Sequence, residues 1–252
     1  MSLIKKTSLL LGLVLLASCG QKVQKTEETG KRIAISDSIQ ADTSISNYIK
    51  PYKEHLNNTL DSTLAYNPKN LTKREDGLNT ALGNLMADVV MQQANPVFKK
   101  RSGKDIDMVL LNSGGIRSDL SKGNISRRSA YALMPFENEI VVTELSGEKM
   151  KKMLQYLQQG KTAHPISGAQ IKLDENYNLL EAKINGKEFD PQQTYFVATS
   201  DYLQQGGDHM DFFKDPVQLY HLDYKIRNAL IDYFEKTDTI KAKADQRFVQ
   251  LK

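Results

Sequence analysis

Residues 105–138 read DIDMVLLNSGGIRSDLSKGNISRRSAYALMPFEN. The apolar run Asp105–Asn112 stops at a glycine pair, which suits a short buried strand. Asn112 then stands at the carboxyl end of that strand, where open α/β sheets tend to bind ligands. Further on, Thr194–Thr199 (TYFVAT) is a second buried strand, and it runs into the loop SDYLQQGGDHMD. Two buried strands thus each end in a loop containing Gly-Gly.

Working outward, helices and strands mix without strict alternation. Asn47–Ser62 reads as a helix with Tyr52, Leu56 and Leu60 on one face, and Pro51 is tolerable there only in the first turn. Leu78, Leu82, Leu85, Met86 and Val89 form a second helical stripe. Ser126 is a candidate cap for a short helix through Leu133. Asn138–Leu145 is β-branched enough for a strand, and Ser146 caps a helix with Met150, Met153, Leu154 and Leu157 on one face. Gln170–Leu173 and Leu179–Ile184 are short strands, the second followed by the hairpin turn Asn185-Gly186. Asp223 is the expected cap of a last helix that carries Ile226, Ala229, Leu230, Tyr233 and Phe234 inward. The fold class is α+β: a mixed sheet with packed helices.

The amino terminus lies outside that fold. Residues 1–18 pair a basic start (Lys5, Lys6) with an apolar core too short to span a bilayer, as in a signal peptide. Leu16-Ala17-Ser18-Cys19 resembles the lipobox of bacterial lipoproteins, in which the cysteine is acylated after cleavage. Cys19 is the single cysteine of the chain, so no disulfide explains it. Several acyl chains on one residue anchor stably where one chain does not. The expected place is therefore the bacterial cell envelope, on its periplasmic or surface side. Residues 19–45 are polar and read as a flexible tether, and residues 46–252 as one domain. The net charge is +4, with two of the lysines in the leader and both signs interspersed elsewhere. That balance argues against a nucleic-acid polymer as partner.

Groups that would drive catalysis are not recognisable in the sequence. There is no phosphate loop, no dinucleotide fingerprint and no nucleophile elbow. The four histidines are scattered, without a metal-ligand spacing. His209 beside Asp208 is the sole ligand-like neighbour pair, and neither a catalytic nor a metal residue is assigned. Binding groups are another matter. Gly114 and Gly115 permit positive φ and close backbone approach, and Arg117 offers a planar fork of donors. Phe136 follows Pro135 at the end of the short helix. In the second loop, Tyr202 has a face for a flat ring, and Gly206 and Gly207 lead to Asp208, an acceptor suited to ribose hydroxyls. Taken singly, each stretch also reads as an ordinary turn with solvated side chains.

As an ordered set they resemble the C-terminal domain of the 5′-nucleotidase family, which includes UDP-sugar hydrolases and 2′,3′-cyclic-nucleotide phosphodiesterases. The matching pieces are Asn112–Arg117, Gly123–Ser126, Pro135–Asn138, the helix start Leu145–Met150, the run from Tyr202 to Asp208, and Leu82–Asp88 upstream. The resemblance implies that the domain holds the nucleoside part of a substrate. Phe136 and Tyr202 would sandwich the base, and Asn112, Arg117 and Asp208 would supply polar contacts. Tyr202 replaces the usual phenylalanine. Asn79 stands where the family has a glutamate, and Lys73 and Arg74 lie near the family's upstream arginine. The family's metallophosphatase domain has no counterpart in these residues. The resemblance therefore implies no cofactor in this chain, with the divalent metals on a separate metallophosphatase partner. Three functions follow as expectations: a lipid-anchored nucleoside-recognition domain of a split 5′-nucleotidase, an inert interaction scaffold, or a self-sufficient nucleotide hydrolase.

Overall fold

The structure is a computed structural model, and it describes residues 29–251. The expected leader, Cys19 and the first part of the tether lie outside the described residues. Cα packing divides the described residues into two units at the Ile49–Lys50 boundary. In the first, residues 29–42 are exposed and carry no helix or strand. Helix α1, Thr43–Asp61, starts where the Asp42 carboxylate accepts the backbone N–H groups of Ser44 (2.8 Å) and Ile45 (3.2 Å). This start lies upstream of Asn47 and places Pro51 inside the helix rather than in its first turn. No residue of α1 is buried, although Tyr52, Leu56 and Leu60 share a face.

The second unit is built on a five-stranded sheet in the order β10-β4-β9-β2-β5. Its members are β2 (Met108–Leu110), β4 (Glu139–Ser146), β5 (Ile166–Ser167), β9 (Thr194–Ser200) and β10 (Gln218–Lys225). β2 and β9 are parallel neighbours, with Met108 opposite Val197, whereas β4 runs antiparallel to β9, with Ile140 opposite Ser200. Side chains alternate between the two faces of each strand. Val109, Ile140, Val142 and Ala198 join one core with helix α2 (Ala81–Ser102), helix α3 (Arg127–Leu133) and helix α6 (Ile226–Glu235). Met108, Leu110, Leu145 and Val197 join the other core, with helix α4 (Gly147–Gly160). That second face is closed by a smaller sheet, β11-β6-β7-β8, formed by Phe248–Gln250, Ala169–Leu173, Leu179–Ile184 and Lys187–Glu188. A further pair, β1 (Thr63–Asn67) with β3 (Gly123–Ser126), flanks the first core. The mixed sheet with packed helices is thus present as expected.

Local chemistry sets the element ends. Thr80 accepts from Gly83 N (3.0 Å) to start α2, Ser126 and Ser129 form a reciprocal capping box on α3, and Ser146 caps α4. Asn185 and Gly186 both take positive φ, as the tight β7–β8 hairpin requires. Two expectations are corrected. Leu78 precedes the Thr80 cap and packs in the second core, not on the α2 stripe. Asp223 does not cap α6. It sits in β10 at φ 52, in an irregular stretch where its N–H donates to Glu139 (2.7 Å), and Lys225 occupies the cap position.

Leu154 on α4 is 2% exposed, whereas Leu56 on α1 is 55% exposed. Leu154→Ala is expected to lower unfolding stability by roughly 2–5 kcal/mol. Leu56→Ala should change it by less than about 0.5 kcal/mol, as for open surface positions. Urea titration of both variants reads the difference.

Candidate functional site

Strand directions bring three loops to one edge of the five-stranded sheet. The loops that follow the parallel strands β2 and β9 leave from the same edge. β4 is antiparallel to β9, so the segment entering β4, Pro135–Asn138, arrives there as well. The three sequence pieces far apart in the chain therefore meet.

The first loop begins with Asn112 in extended conformation and forms a single tight turn over Ser113–Gly115. Of the two freedoms the pair permits, positive φ is used by neither Gly114 nor Gly115. Their role is close approach to Asn112: a side-chain carbon on Gly115 would lie 2.9 Å from its Oδ1, and one on Gly114 3.3 Å from its Nδ2. In the loop after β9, Ser200 caps the short helix α5 (Asp201–Gln204) by accepting from Leu203 N (3.2 Å). Gly206 is left-handed at φ 89, and a carbon on Gly207 would collide with the Tyr202 ring at 2.5 Å. Asp208 itself is held at φ 53.

The polar groups converge on Asp208. Asn112 Nδ2 donates to its Oδ2 (2.6 Å), and the Tyr202 hydroxyl donates to its Oδ1 (2.9 Å). That bond to the carboxylate raises the Tyr202 pKa above its ordinary value. Each carboxylate oxygen keeps acceptor capacity beyond its one bond, so a pair of neighbouring hydroxyls can still be bound. Arg117 lies 5.7 Å from the Phe136 ring centroid, within cation–π reach. Asn112, Arg117, Phe136, Tyr202 and Asp208 all line one cavity of about 310 Å³. Phe136 and Tyr202 are 39% and 47% exposed, which leaves ring surface for a ligand. The volume falls at the small end of ligand pockets, roughly 300–1,000 Å³. Wider hollows exist, such as one of about 540 Å³ beside Arg247. No aromatic side chain lines that hollow, and the Arg247 guanidinium is already bound to Asp88 (2.7 Å) and Asp245 (2.8 Å).

Several further residues support the site. Asn138, the last residue of the Pro135–Asn138 piece, also lines the cavity. Lys73 Nζ donates to Ser113 O (3.2 Å) and Ile116 O (2.6 Å), so the lysine near the family's upstream arginine fastens the first loop from below. Asn79 does not reach the site. It donates to Asp245 O (2.9 Å) and Phe248 O (3.0 Å) and ties down the chain entering β11. His164 Nδ1 accepts from Ser113 N (3.3 Å), the Tyr156 hydroxyl donates to Asp208 O (2.9 Å), and the two rings lie 5.7 Å apart. His164 and Tyr156 thus form a strut beneath both glycine loops. Burial lowers the His164 pKa to about 4, which keeps the ring neutral and Nδ1 free to accept. His209 is exposed, and among the described residues no three His, Cys, Asp or Glu side chains gather where they could hold a metal ion.

Comparison with known proteins places this chain in a family. Residues 59–215 match the family model described as the 5′-nucleotidase C-terminal domain, and the chain belongs to that family. A protein named UshA from Yersinia enterocolitica is 25% identical over 234 residues, covering 88% of this chain and 40% of that protein. The 5′-nucleotidase of Vibrio vulnificus is 26% identical over 196 residues, covering 73% of this chain and 33% of that one. The crystal structure of a 5′-nucleotidase precursor from Thermus thermophilus superposes with a TM-score of 0.68 at 20% identity, over 82% of this chain and 42% of that one. This chain spans less than half the length of these relatives.

The strut has a pH signature. Folded His164 stays neutral down to about pH 4, while the unfolded imidazole protonates near its ordinary value of 6.5. The unfolded state therefore binds the extra proton in that window, and stability falls as pH drops from about 6.5 to 4, by roughly 3 kcal/mol from this group. His164→Gln removes this component while keeping an acceptor. Denaturant unfolding at pH 7 and pH 4.5 should show a steeper acid loss in wild type than in H164Q, and parallel profiles would exclude the neutral strut.

Proposed function

We propose that this chain is the nucleoside-recognition part of a split 5′-nucleotidase. It is anchored at the bacterial cell envelope through the lipid on Cys19 and presents nucleotides to a separate metallophosphatase chain that carries the divalent metals. The observation that carries the recognition role is the cavity at the sheet edge, where two half-exposed rings, Phe136 and Tyr202, stand with the Asp208 carboxylate and the donors Asn112 and Arg117. A flat base suits the rings, and a ribose diol suits the carboxylate. Stacking of a base on one aromatic ring contributes about 1–3 kcal/mol. The partner role rests on the family resemblance, in which the metals belong to another domain. Confinement of both chains to one membrane raises their effective concentration without new contacts.

Isothermal calorimetry with adenosine, AMP and UMP tests the recognition role. Wild type is expected to bind at or below millimolar concentration, and Phe136→Ala or Tyr202→Ala should each weaken binding about 5- to 150-fold, the equivalent of one lost stacking contact. Asp208→Ala should weaken adenosine more than 2′-deoxyadenosine, because only the former offers the full diol. Absence of binding at millimolar ligand, alone and with a candidate phosphatase present, would leave an interaction scaffold as the reading.

A further inference from the structure

Of the three loops at the site, the one bearing Phe136 has the least regular support. Residues 134–138 have no helix or strand, and Pro135, Phe136 and Glu137 are exposed. Yet a stacking face is useful only if its ring is held still before the ligand arrives, since ordering it on binding subtracts from affinity.

The hold comes from Arg227, in the first turn of α6. Its guanidinium donates to Pro135 O and Phe136 O, both at 3.2 Å, and pairs with the Glu137 carboxylate. It grips three consecutive residues. It also lies 4.1 Å from the Tyr131 ring centroid on α3, the helix that leads into the segment. Beside it, Ile226 N donates to Asn138 O (3.1 Å), and Lys225 adds a second cation on Glu137. The two cations, Arg227 foremost, pull the Glu137 pKa down to about 2.

This arrangement is costly as a way to fill space. The Arg227 side chain is 5% exposed, and its Nε is buried without a hydrogen-bond partner among the described residues. A buried cation with an unsatisfied donor is more expensive than an apolar side chain of similar volume. What the apolar residue cannot do is bind two successive carbonyls and a carboxylate in one planar fork. We infer that Arg227 is a positioning residue for the nucleoside site, fixing the Phe136 ring by gripping the backbone on both sides of it. This rests on the recognition reading above, and it adds a residue outside every motif of the site.

The test is a double-mutant cycle on the full chain in detergent, read by calorimetry with adenosine and with ribose 5-phosphate. Arg227→Lys keeps the charge but not the fork. It is expected to weaken adenosine about 5- to 20-fold, part of the stacking contribution, and to leave ribose 5-phosphate within about twofold. In the Phe136→Ala background the same change should cost less than about twofold, because residues acting as one unit are non-additive. Glu137→Gln, at an exposed side chain, should show the same pattern and does not depend on R227K folding. Equal losses in both backgrounds, or equal losses for the two ligands, would overturn the inference in favour of a general structural role, as would unchanged adenosine affinity in both variants. Wild type that binds no adenosine would overturn the recognition reading itself, and this inference with it.

Discussion

The site depends on one pairing, the parallel alignment of β2 with β9, with Met108 opposite Val197. Parallel neighbours send their carboxyl ends to the same edge, so the two glycine-containing loops leave side by side. The antiparallel β4, next in the sheet, brings its amino end to that edge too. A register slip of one residue would turn each strand's core-facing side chains to the other face. Both faces are covered, by α2 and α6 on one side and by α4 and the smaller sheet on the other, so the register is strongly fixed. The cavity-lining groups thus inherit their geometry from the core.

Below the loops lies a layer of polar side chains that do not themselves line the cavity. Lys73 holds the carbonyls of the first loop, His164 and Tyr156 bridge to the second, and Arg227 holds the third. Loops carry backbone groups that no sheet or helix satisfies, and burying their bases requires partners of this kind. The same layer converts three flexible connections into a cavity whose shape exists before a ligand enters. Each member meets backbone atoms rather than side chains of the site, so its identity is decoupled from the recognition motifs.

That decoupling explains what the sequence displayed and what it concealed. Ser126, Ser146 and Asn185-Gly186 act locally, so their capping and turn roles were readable from neighbours a few residues away. The five residues that line the sheet-edge cavity were readable as a set because Phe136, Tyr202 and Asp208 follow the Asn112–Arg117 loop in the order of the motifs they resemble. Strands β5, β10 and β11 were not legible. β5 and β11 are two and three residues long, and β10 is an edge strand with a single buried side chain, the rest being exposed or half-exposed, so none has a clean alternation. Asp223 misled because a residue type that favours caps also tolerates the left-handed conformation it adopts. Lys73, His164 and Arg227 make contacts across 40, 51 and about 90 residues of chain, a distance over which local patterning carries no information.

The central claim is that the sheet-edge cavity is a nucleoside site formed by groups already in place. A crystal structure of the protein grown with adenosine tests it most directly. The adenine ring is expected between Phe136 and Tyr202, the ribose hydroxyls on the Asp208 carboxylate, and the three loops unmoved beneath them. Adenosine seated elsewhere, such as the hollow beside Arg247, or a cavity that remains empty at saturating ligand, would contradict it.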